Sequence, residues 1–181
     1  SAKGLVYSKP RVGTVVRPRQ QWHMLDPDVL YWLVECTPQS QFFDTLVSVR
    51  RIIEPEIASL AALRATPDDI ASIEEAYQRM EKASSREEML QPDIDFHSRI
   101  AQASQNDLLA YMCTMLALPL RESIKLSNRR PNSQALTLPR HKAILTAIKN
   151  RDALAARHAS VVQLDDTRSA LDIAMNELTP L

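Results

Sequence analysis

The sequence predicts an all-α domain, an antiparallel bundle of about seven helices, preceded by a short β-hairpin. The 181-residue chain is 45% hydrophobic, which is enough to bury one core of ordinary domain size. It has only 2 glycines and is 5% aromatic, a composition that favours helix over sheet. Beyond the first 25 residues, the apolar positions recur at the helical period. Short connections should then make consecutive helices lie side by side.

The hairpin is predicted over residues 4–16, which are β-branched and apolar at both ends with a basic tip between. A linker follows over residues 18–21. The first 25 residues carry five Lys or Arg and no acid, so the rest of this neutral chain is net acidic by five. A basic arm on an acidic body suits contact with a polyanion, although a solvated terminal tail would look the same.

Helix boundaries follow from caps and prolines. Asp26 and Thr66 each precede a proline, which is the pattern of an N-cap followed by a first-turn proline. We expect Pro55 to kink its helix, Pro92 to bend the chain or end a turn, and Pro119 to strain its helix. The predicted helices span residues 26–36, 40–64, 66–83, 86–104, 106–126, 133–150 and 152–178.

Several classes of protein are not supported by the sequence. Cys36 and Cys113 lie far apart, without zinc-ribbon or disulfide spacing, so we expect reduced thiols in the cytoplasm. A run of 18 apolar residues and a secretory signal are both missing, which predicts a soluble protein with no membrane contact. The chain has no Gly-rich phosphate loop, no metalloprotease signature and no nucleophile with a paired base. We therefore predict that it is not an enzyme.

A possible polar site begins at Asp93 and His97, which lie four residues apart and so share one face of a helix. Phe96 indicates that this face points inward. His141 shares an apolar stripe with Leu145 on a later helix. One carboxylate and two imidazoles could hold zinc, nickel or another divalent ion. The same residues could instead form a surface pair and a hydrogen-bonded core histidine.

Arg50 lies in an apolar stretch of a helix that must pack. A buried arginine needs an anionic partner. That partner could be Glu54, one turn later, or a bound carboxylate held by the guanidinium.

Residues 49–66, 93–97, 103–106 and 141–152 occur in an order and spacing similar to one family. They resemble the FCD effector-binding domain of the FadR subfamily of GntR bacterial transcriptional regulators. The resemblance covers the chain from about Val29 to its end. Residues 3–7 and 13–16 further resemble the wing that ends the winged-helix DNA-binding domain of that family. Residues 21–32 also contain several motifs similar to members that repress galactonate and related sugar-acid operons.

The resemblance implies two units, a wing remnant with its linker at residues 1–20 and a helical effector-binding and dimerisation domain at residues 21–181. The chain would then be the sensing part of a cytoplasmic, homodimeric repressor that binds operator DNA and a small carboxylate such as a sugar acid. It also implies roles for individual residues. The effector pocket would be lined by Arg50, Asp93, His97, Asn106, His141 and Gln163. Of these, Asp93, His97 and His141 would be the metal ligands. Lys9 and Arg11 would contact DNA.

Two departures from the family pattern leave alternatives open. Metal-binding members have another histidine where this chain has Gln163, whose amide is a poor metal ligand but a good partner for a hydroxyl. A divalent metal and a metal-free site therefore both remain possible. The wing tip has one glycine where two are usual, and contacts by Lys9 and Arg11 would be chiefly to phosphate. A metal-dependent enzyme and a ligand-free helical interaction module are the rival predictions.

Overall fold

The computed structural model describes residues 3–129 and 132–178, the last two of these without their side chains. It confirms a mostly helical chain that begins with a two-stranded antiparallel sheet. Within the described residues there are eight helices, one more than predicted. The elements are β1 (Val6–Lys9), β2 (Gly13–Val16), α1 (Pro27–Cys36), α2 (Gln39–Arg64), α3 (Pro67–Lys82), α4 (Arg86–Ala103), α5 (Asp107–Met115), α6 (Ala117–Ser127), α7 (Ser133–Lys149) and α8 (Ala153–Leu178).

The hairpin has a register that runs from the pair Val6 and Val16 to the pair Lys9 and Gly13. Its three-residue loop is closed by the Val12 backbone N–H, which donates to the Lys9 carbonyl at 3.1 Å. Arg11 has a φ of 63° and Gly13 a φ of 98°. A three-residue hairpin loop needs a left-handed residue near its end, and glycine accepts that conformation without strain.

The predicted linker is ordered and is tied to α1. It contains one 3-10 turn at Arg19–Gln21, and the indole N–H of Trp22 donates to the Arg17 carbonyl at 2.8 Å. The Lys3 ammonium lies 2.9 Å from Asp26 Oδ1 and 2.5 Å from Asp28 Oδ2. The base of the hairpin is therefore held against the start of the first helix.

Local capping chemistry explains where the helices begin. The Asp26 carboxylate accepts from the backbone N–H groups of Asp28 and Val29. Thr66 and Asp69 form a capping box, with each side chain accepting from the other's backbone. These contacts satisfy amides that have no partner inside the helix. Both helix starts were predicted from the sequence and are confirmed.

The single helix predicted over residues 106–126 is wrong, because it is divided at Leu116 into α5 and α6. Pro119 has no amide hydrogen, and its ring excludes the carbonyl four residues earlier. Pro55, Pro92 and Pro139 lie inside continuous helices. Those helices bury residues on both sides of the proline, whereas α5 buries none of its residues. Packing therefore keeps the helices around Pro55, Pro92 and Pro139 continuous, whereas the segment before Pro119 lacks the buried contacts that would do the same.

Two apolar clusters form most of the core. The larger one joins α2, α3, α4, α7 and the start of α8, and includes Ile57, Phe96 and Ile148. The smaller one contains Phe43, Val47 and residues from α6 and α8. Arg50 and Glu54 lie on α2 between these clusters, so a polar layer interrupts the core along the longest helix pair, α2 and α8.

Three further observations concern the sequence predictions. Cys36 and Cys113 are free thiols. Among residues 3–129 and 132–178, no helix combines the length and apolar composition needed to cross a membrane. The loop predicted over residues 127–133 joins α6 to α7, and its residues 130 and 131 lie outside the described part of the chain.

Candidate metal and effector site

Asp93, His97 and His141 converge in the interior. Asp93 and His97 lie one turn apart on α4, and His141 comes from α7. Asp93 Oδ1 is 3.4 Å from His97 Nε2 and 3.3 Å from His141 Nε2, and the two Nε2 atoms are 3.4 Å apart. Asp93 is 3% exposed and His141 fully buried, while the His97 side chain is 11% exposed. The three atoms thus form a nearly equilateral triangle.

Neighbouring groups orient both imidazoles toward this triangle. His141 Nδ1 lies 3.0 Å from the Thr137 carbonyl oxygen, which can only accept, so Nδ1 carries a proton. In the neutral ring, the lone pair is then on Nε2. His97 Nδ1 lies 3.4 Å from Glu54 Oε2. A histidine that ligates metal usually donates its other ring N–H to a carbonyl or carboxylate, as both arrangements here allow.

The spacing of the triangle suits a small divalent cation. A tetrahedral ion with bonds of about 2.0–2.1 Å separates its ligand atoms by roughly 3.3–3.4 Å, which matches the three observed distances. Asp93 Oδ1 is buried and makes no hydrogen bond within the described residues. Each residue offers one ligand atom, so the set can hold an ion and still leave positions for a further ligand.

Asp93 and His141 alter each other's pKa values. Burial by itself would raise the pKa of Asp93, but the nearby imidazoles of His141 and His97 lower it well below its usual range. Burial would likewise lower the pKa of His141, but the Asp93 carboxylate raises it overall. Asp93 is therefore a carboxylate whose charge needs a cationic partner.

Arg50 is 2% exposed, which confirms that this arginine enters the interior. Its Nε lies 2.5 Å from Glu54 Oε1 and its Nη2 lies 3.3 Å from Oε2. Burial would raise the pKa of Glu54, but the Arg50 charge holds it low. Arg50 Nη1 is buried without a partner in the described part of the chain. The internal ion pair thus leaves one donor free for another acceptor.

Two small cavities meet at Arg50. The first, here called the polar cavity, has a volume of about 20 Å³. The second, called the inner cavity, has about 30 Å³. Volumes of this size hold about one water-sized guest. The polar cavity is lined by Arg50, Asp93, Asn128, Arg140, His141 and Gln163 among others, and the inner cavity by Arg50, Glu54, His97, Cys113, Leu46 and Leu116 among others.

Gln163 presents an acceptor at the polar cavity. Its Nε2 donates to Thr167 Oγ1 at 3.1 Å, and that hydroxyl donates to the Gln163 carbonyl at 3.1 Å. Gln163 Oε1 is buried and, like Arg50 Nη1, Arg140 Nε and Asn128 Nδ2, lacks a partner in residues 3–129 and 132–178. Unsatisfied buried polar groups are costly, so this group of atoms is suited to bind a polar guest. This guest should accept several hydrogen bonds and donate one.

The other residues singled out in the sequence lie elsewhere. Asn106 is the N-cap of α5, where its Oδ1 accepts from the Leu109 amide at 3.2 Å, and it lines neither of these cavities. Lys9 and Arg11 are exposed on the hairpin. Asn128 and Arg140 were missed as cavity residues. Their only sequence signals are a loop position and a place next to His141, and neither signal predicts burial.

Comparisons with known proteins agree with this description. Residues 45–166 match the FCD domain family. The galactonate operon transcriptional repressor of Escherichia coli (strain K12) is 34% identical over 167 residues, covering 90% of this chain and 72% of the repressor. The HTH-type transcriptional regulator LutR of Bacillus subtilis (strain 168) is 28% identical over 177 residues, covering 94% of this chain and 78% of LutR.

A solved structure also has this fold. Streptococcus agalactiae GntR superposes with a TM-score of 0.68 at 22% identity, covering 93% of this chain and 76% of that one. The relatives named above regulate transcription, and the rival prediction of an enzyme is not favoured. The prediction of a regulator is confirmed. The chain therefore belongs to the FCD domain family of GntR-type, ligand-responsive transcriptional regulators.

Proposed function

We propose that this chain is the effector-sensing and dimerising domain of a repressor, and that its effector is a 2-hydroxycarboxylate such as a sugar acid. The main support is that three converging ligand atoms, from buried Asp93 and His141 and from the largely buried His97, lie beside a cavity with several polar atoms that lack partners among the described residues. Asp93, His97 and His141 would hold a divalent metal, with zinc or nickel suited to this mixture of nitrogen and oxygen. A metal-free version of the same site is the alternative.

The recognition chemistry follows from the unpartnered atoms. Arg50 Nη1 and Asn128 Nδ2 would donate to the effector carboxylate, while Gln163 Oε1 would accept from its 2-hydroxyl. A bound ion would add positive charge and open positions for the same carboxylate and hydroxyl. Galactonate has both groups on adjacent carbons, and it is the compound in the name of the Escherichia coli relative. A neutral sugar could not use the buried guanidinium in this way.

An effector larger than water requires one wall to move. The least firmly packed wall is α5, none of whose residues is buried and which contributes Cys113 to the inner cavity. The break at Leu116 separates this helix from α6. We infer that α5 shifts when the effector enters, because the other helices that line the two cavities all contain buried residues.

The same wall reaches the linker. Leu46 and Leu116 line the inner cavity and also an apolar cavity of about 240 Å³. The lining of this apolar cavity also includes Arg19, Met24 and Leu25. A displacement of Leu116 would therefore change the surface on which the linker rests. Only an effector that binds one arrangement more tightly than the other can shift the balance between them.

The linker leads to the hairpin, whose exposed Lys9 and Arg11 would contact DNA phosphate in the intact regulator. We further propose a two-fold homodimer, because paired operator half-sites usually mirror the symmetry of the protein. A change in the linker would then alter the spacing of the two DNA-binding units and their fit to the half-sites.

A thermal-shift screen tests the proposal directly. The chain is melted with galactonate, with 2-deoxygalactonate and with neutral galactose, each with zinc or nickel and again after treatment with EDTA. We expect galactonate with metal to raise the melting temperature, because a ligand that binds only the folded state stabilises it. An equal rise after EDTA would favour the metal-free alternative. The absence of any rise with galactonate or other 2-hydroxy acids would overturn the proposed effector class.

A matched pair of variants locates the binding. His141→Ala should remove the galactonate effect, since His141 contributes to the triangle and lines the polar cavity. His158→Ala is the control, because His158 is exposed. If the His141 variant retains the full response while remaining folded, the site is wrong.

A further inference from the structure

A second, strongly basic pocket opens on the surface between the start of α4 and the end of α6. Its walls contain Arg86, Glu87, Arg121, Lys125 and Arg129, together with Leu90 and Asn128. Four cations and one acid give these walls a formal charge of +3. The pocket has a volume of about 440 Å³, which is far larger than either buried cavity.

The contacts of Lys125 and Arg121 compensate the positive charge of these two side chains only weakly. Lys125 lies 2.7 Å from Glu122, but about half of its side chain is exposed, and surface pairs of this kind are weak. Arg121 Nη1 donates to Gln91 Oε1, a neutral acceptor, at 3.2 Å. The basic pocket therefore keeps a positive field, although several of its members have neighbours.

Asn128 connects this pocket to the interior. It lines both the basic pocket and the polar cavity, and it is only 5% exposed. Its backbone N–H donates to the Ile124 carbonyl at 3.0 Å, which fixes its position at the end of α6. Its Nδ2 is buried and has no hydrogen-bond partner within the described chain. The lining of the basic pocket and the lining of the polar cavity therefore share Asn128, a buried residue with an unpartnered amide donor among the described residues.

We propose that the basic pocket is the entrance through which a small anionic effector reaches the polar cavity, with the Asn128 amide as the first buried donor on the route. This inference rests on the proposed function, because the route ends at the proposed effector site. A cleft lined by one sign of charge raises the local concentration of oppositely charged ligands and speeds their association. Small carboxylates should therefore use this route, and neutral compounds of the same shape should gain nothing from it.

The entrance can be tested with acetate, whatever the natural effector is. The side-chain amide signal of Asn128, assigned by its loss in Asn128→Asp, is followed by NMR during titration with acetate and with neutral acetamide. We expect a saturable shift with acetate and none with acetamide. Absence of the acetate shift, or an equal response to both compounds, would overturn the proposal.

A charge-matched pair of variants separates the entrance from a general charge effect. The test variant is Arg121→Gln/Lys125→Gln/Arg129→Gln. The control variant, Lys149→Gln/Arg157→Gln/Arg168→Gln, removes three cations that are exposed or partly exposed and that line neither the basic pocket nor the polar cavity. We expect the test variant to bind acetate at Asn128 about tenfold more weakly, and the control to match the unmodified protein. Lys125→Gln alone, which changes one exposed side chain, should show a smaller loss if the triple variant does not fold.

Stopped-flow binding of galactonate then separates this inference from the proposed function. If galactonate binds and the test variant slows its association while the control does not, the entrance is supported. If galactonate binds with the same association rate in both variants, the entrance is wrong while the effector site stands. If galactonate does not bind at all but the acetate shift depends on the basic pocket, the proposed effector class fails and an anion entrance remains.

Discussion

Replacing Arg50 with methionine should destabilise the metal-free protein while exposing the role of Glu54. Arg50 is buried and uses Nε and Nη2 to hold the Glu54 carboxylate. Removing one member of a buried ion pair costs about 3–5 kcal/mol, because the remaining charge has no partner. The substitution also removes the unpartnered Nη1 donor, which relieves about 1–3 kcal/mol. The loss outweighs the relief, and we expect a net destabilisation of about 2 kcal/mol.

Urea unfolding at neutral pH, followed by circular dichroism after EDTA treatment, measures this difference. The matched variant is Arg50→Met/Glu54→Gln, which also removes the stranded carboxylate but keeps an oxygen near His97 Nδ1. We expect this double variant to recover most of the lost stability. If the single variant is as stable as the unmodified protein, or if the double variant is less stable than the single one, the reasoning about a stranded charge is refuted.

Three further predictions concern other parts of the structure. Thr66→Ala should cost about 1 kcal/mol in urea unfolding, because it removes the capping box with Asp69; an unchanged midpoint would argue against that cap. Burial raises the pKa of the Cys113 thiol to about 12, and the nearby Glu54 charge adds to this effect. Iodoacetamide at pH 8 should therefore modify exposed Cys36 long before Cys113. Equal rates of modification, measured by mass spectrometry, would contradict this prediction. Gln163→Leu should lower the affinity for galactonate, measured by calorimetry, about 2- to 10-fold, because one hydrogen bond is lost. The affinity for 2-deoxygalactonate should not change. Equal losses of affinity for both ligands would exclude a contact between Gln163 and the 2-hydroxyl.

The sequence predicted those features that depend on neighbouring residues. Asp26 and Thr66 marked helix starts because an N-cap acts within one turn. Asp93 and His97 could be placed on one helix face for the same reason. The division at Leu116 could not be predicted from Pro119, since similar prolines lie inside three intact helices. What differs is how much of each helix is buried, and burial depends on the whole fold.

The composition of the site was less accessible from the sequence. The proximity of His141 to Asp93 was expected from the family resemblance, because the two residues are 48 positions apart in the chain and no local rule relates side chains at that separation. Asn128 and Arg140 become cavity residues only when α6, α7 and α8 pack together. Asn106 has a clear local explanation as the N-cap of α5, and this local role accounts for the residue without any contact to an effector.

The central claim is that Asp93, His97 and His141 hold a metal ion to which a 2-hydroxycarboxylate binds. Cobalt(II) substitution tests it most directly, because the visible spectrum of cobalt reports the ligands of the ion and their geometry. We predict stoichiometric binding with an intense, low-symmetry spectrum that changes on addition of galactonate, and loss of that spectrum in His97→Ala but not in His158→Ala. A weak spectrum like that of cobalt in water, unchanged by galactonate and identical in both variants, would contradict the claim.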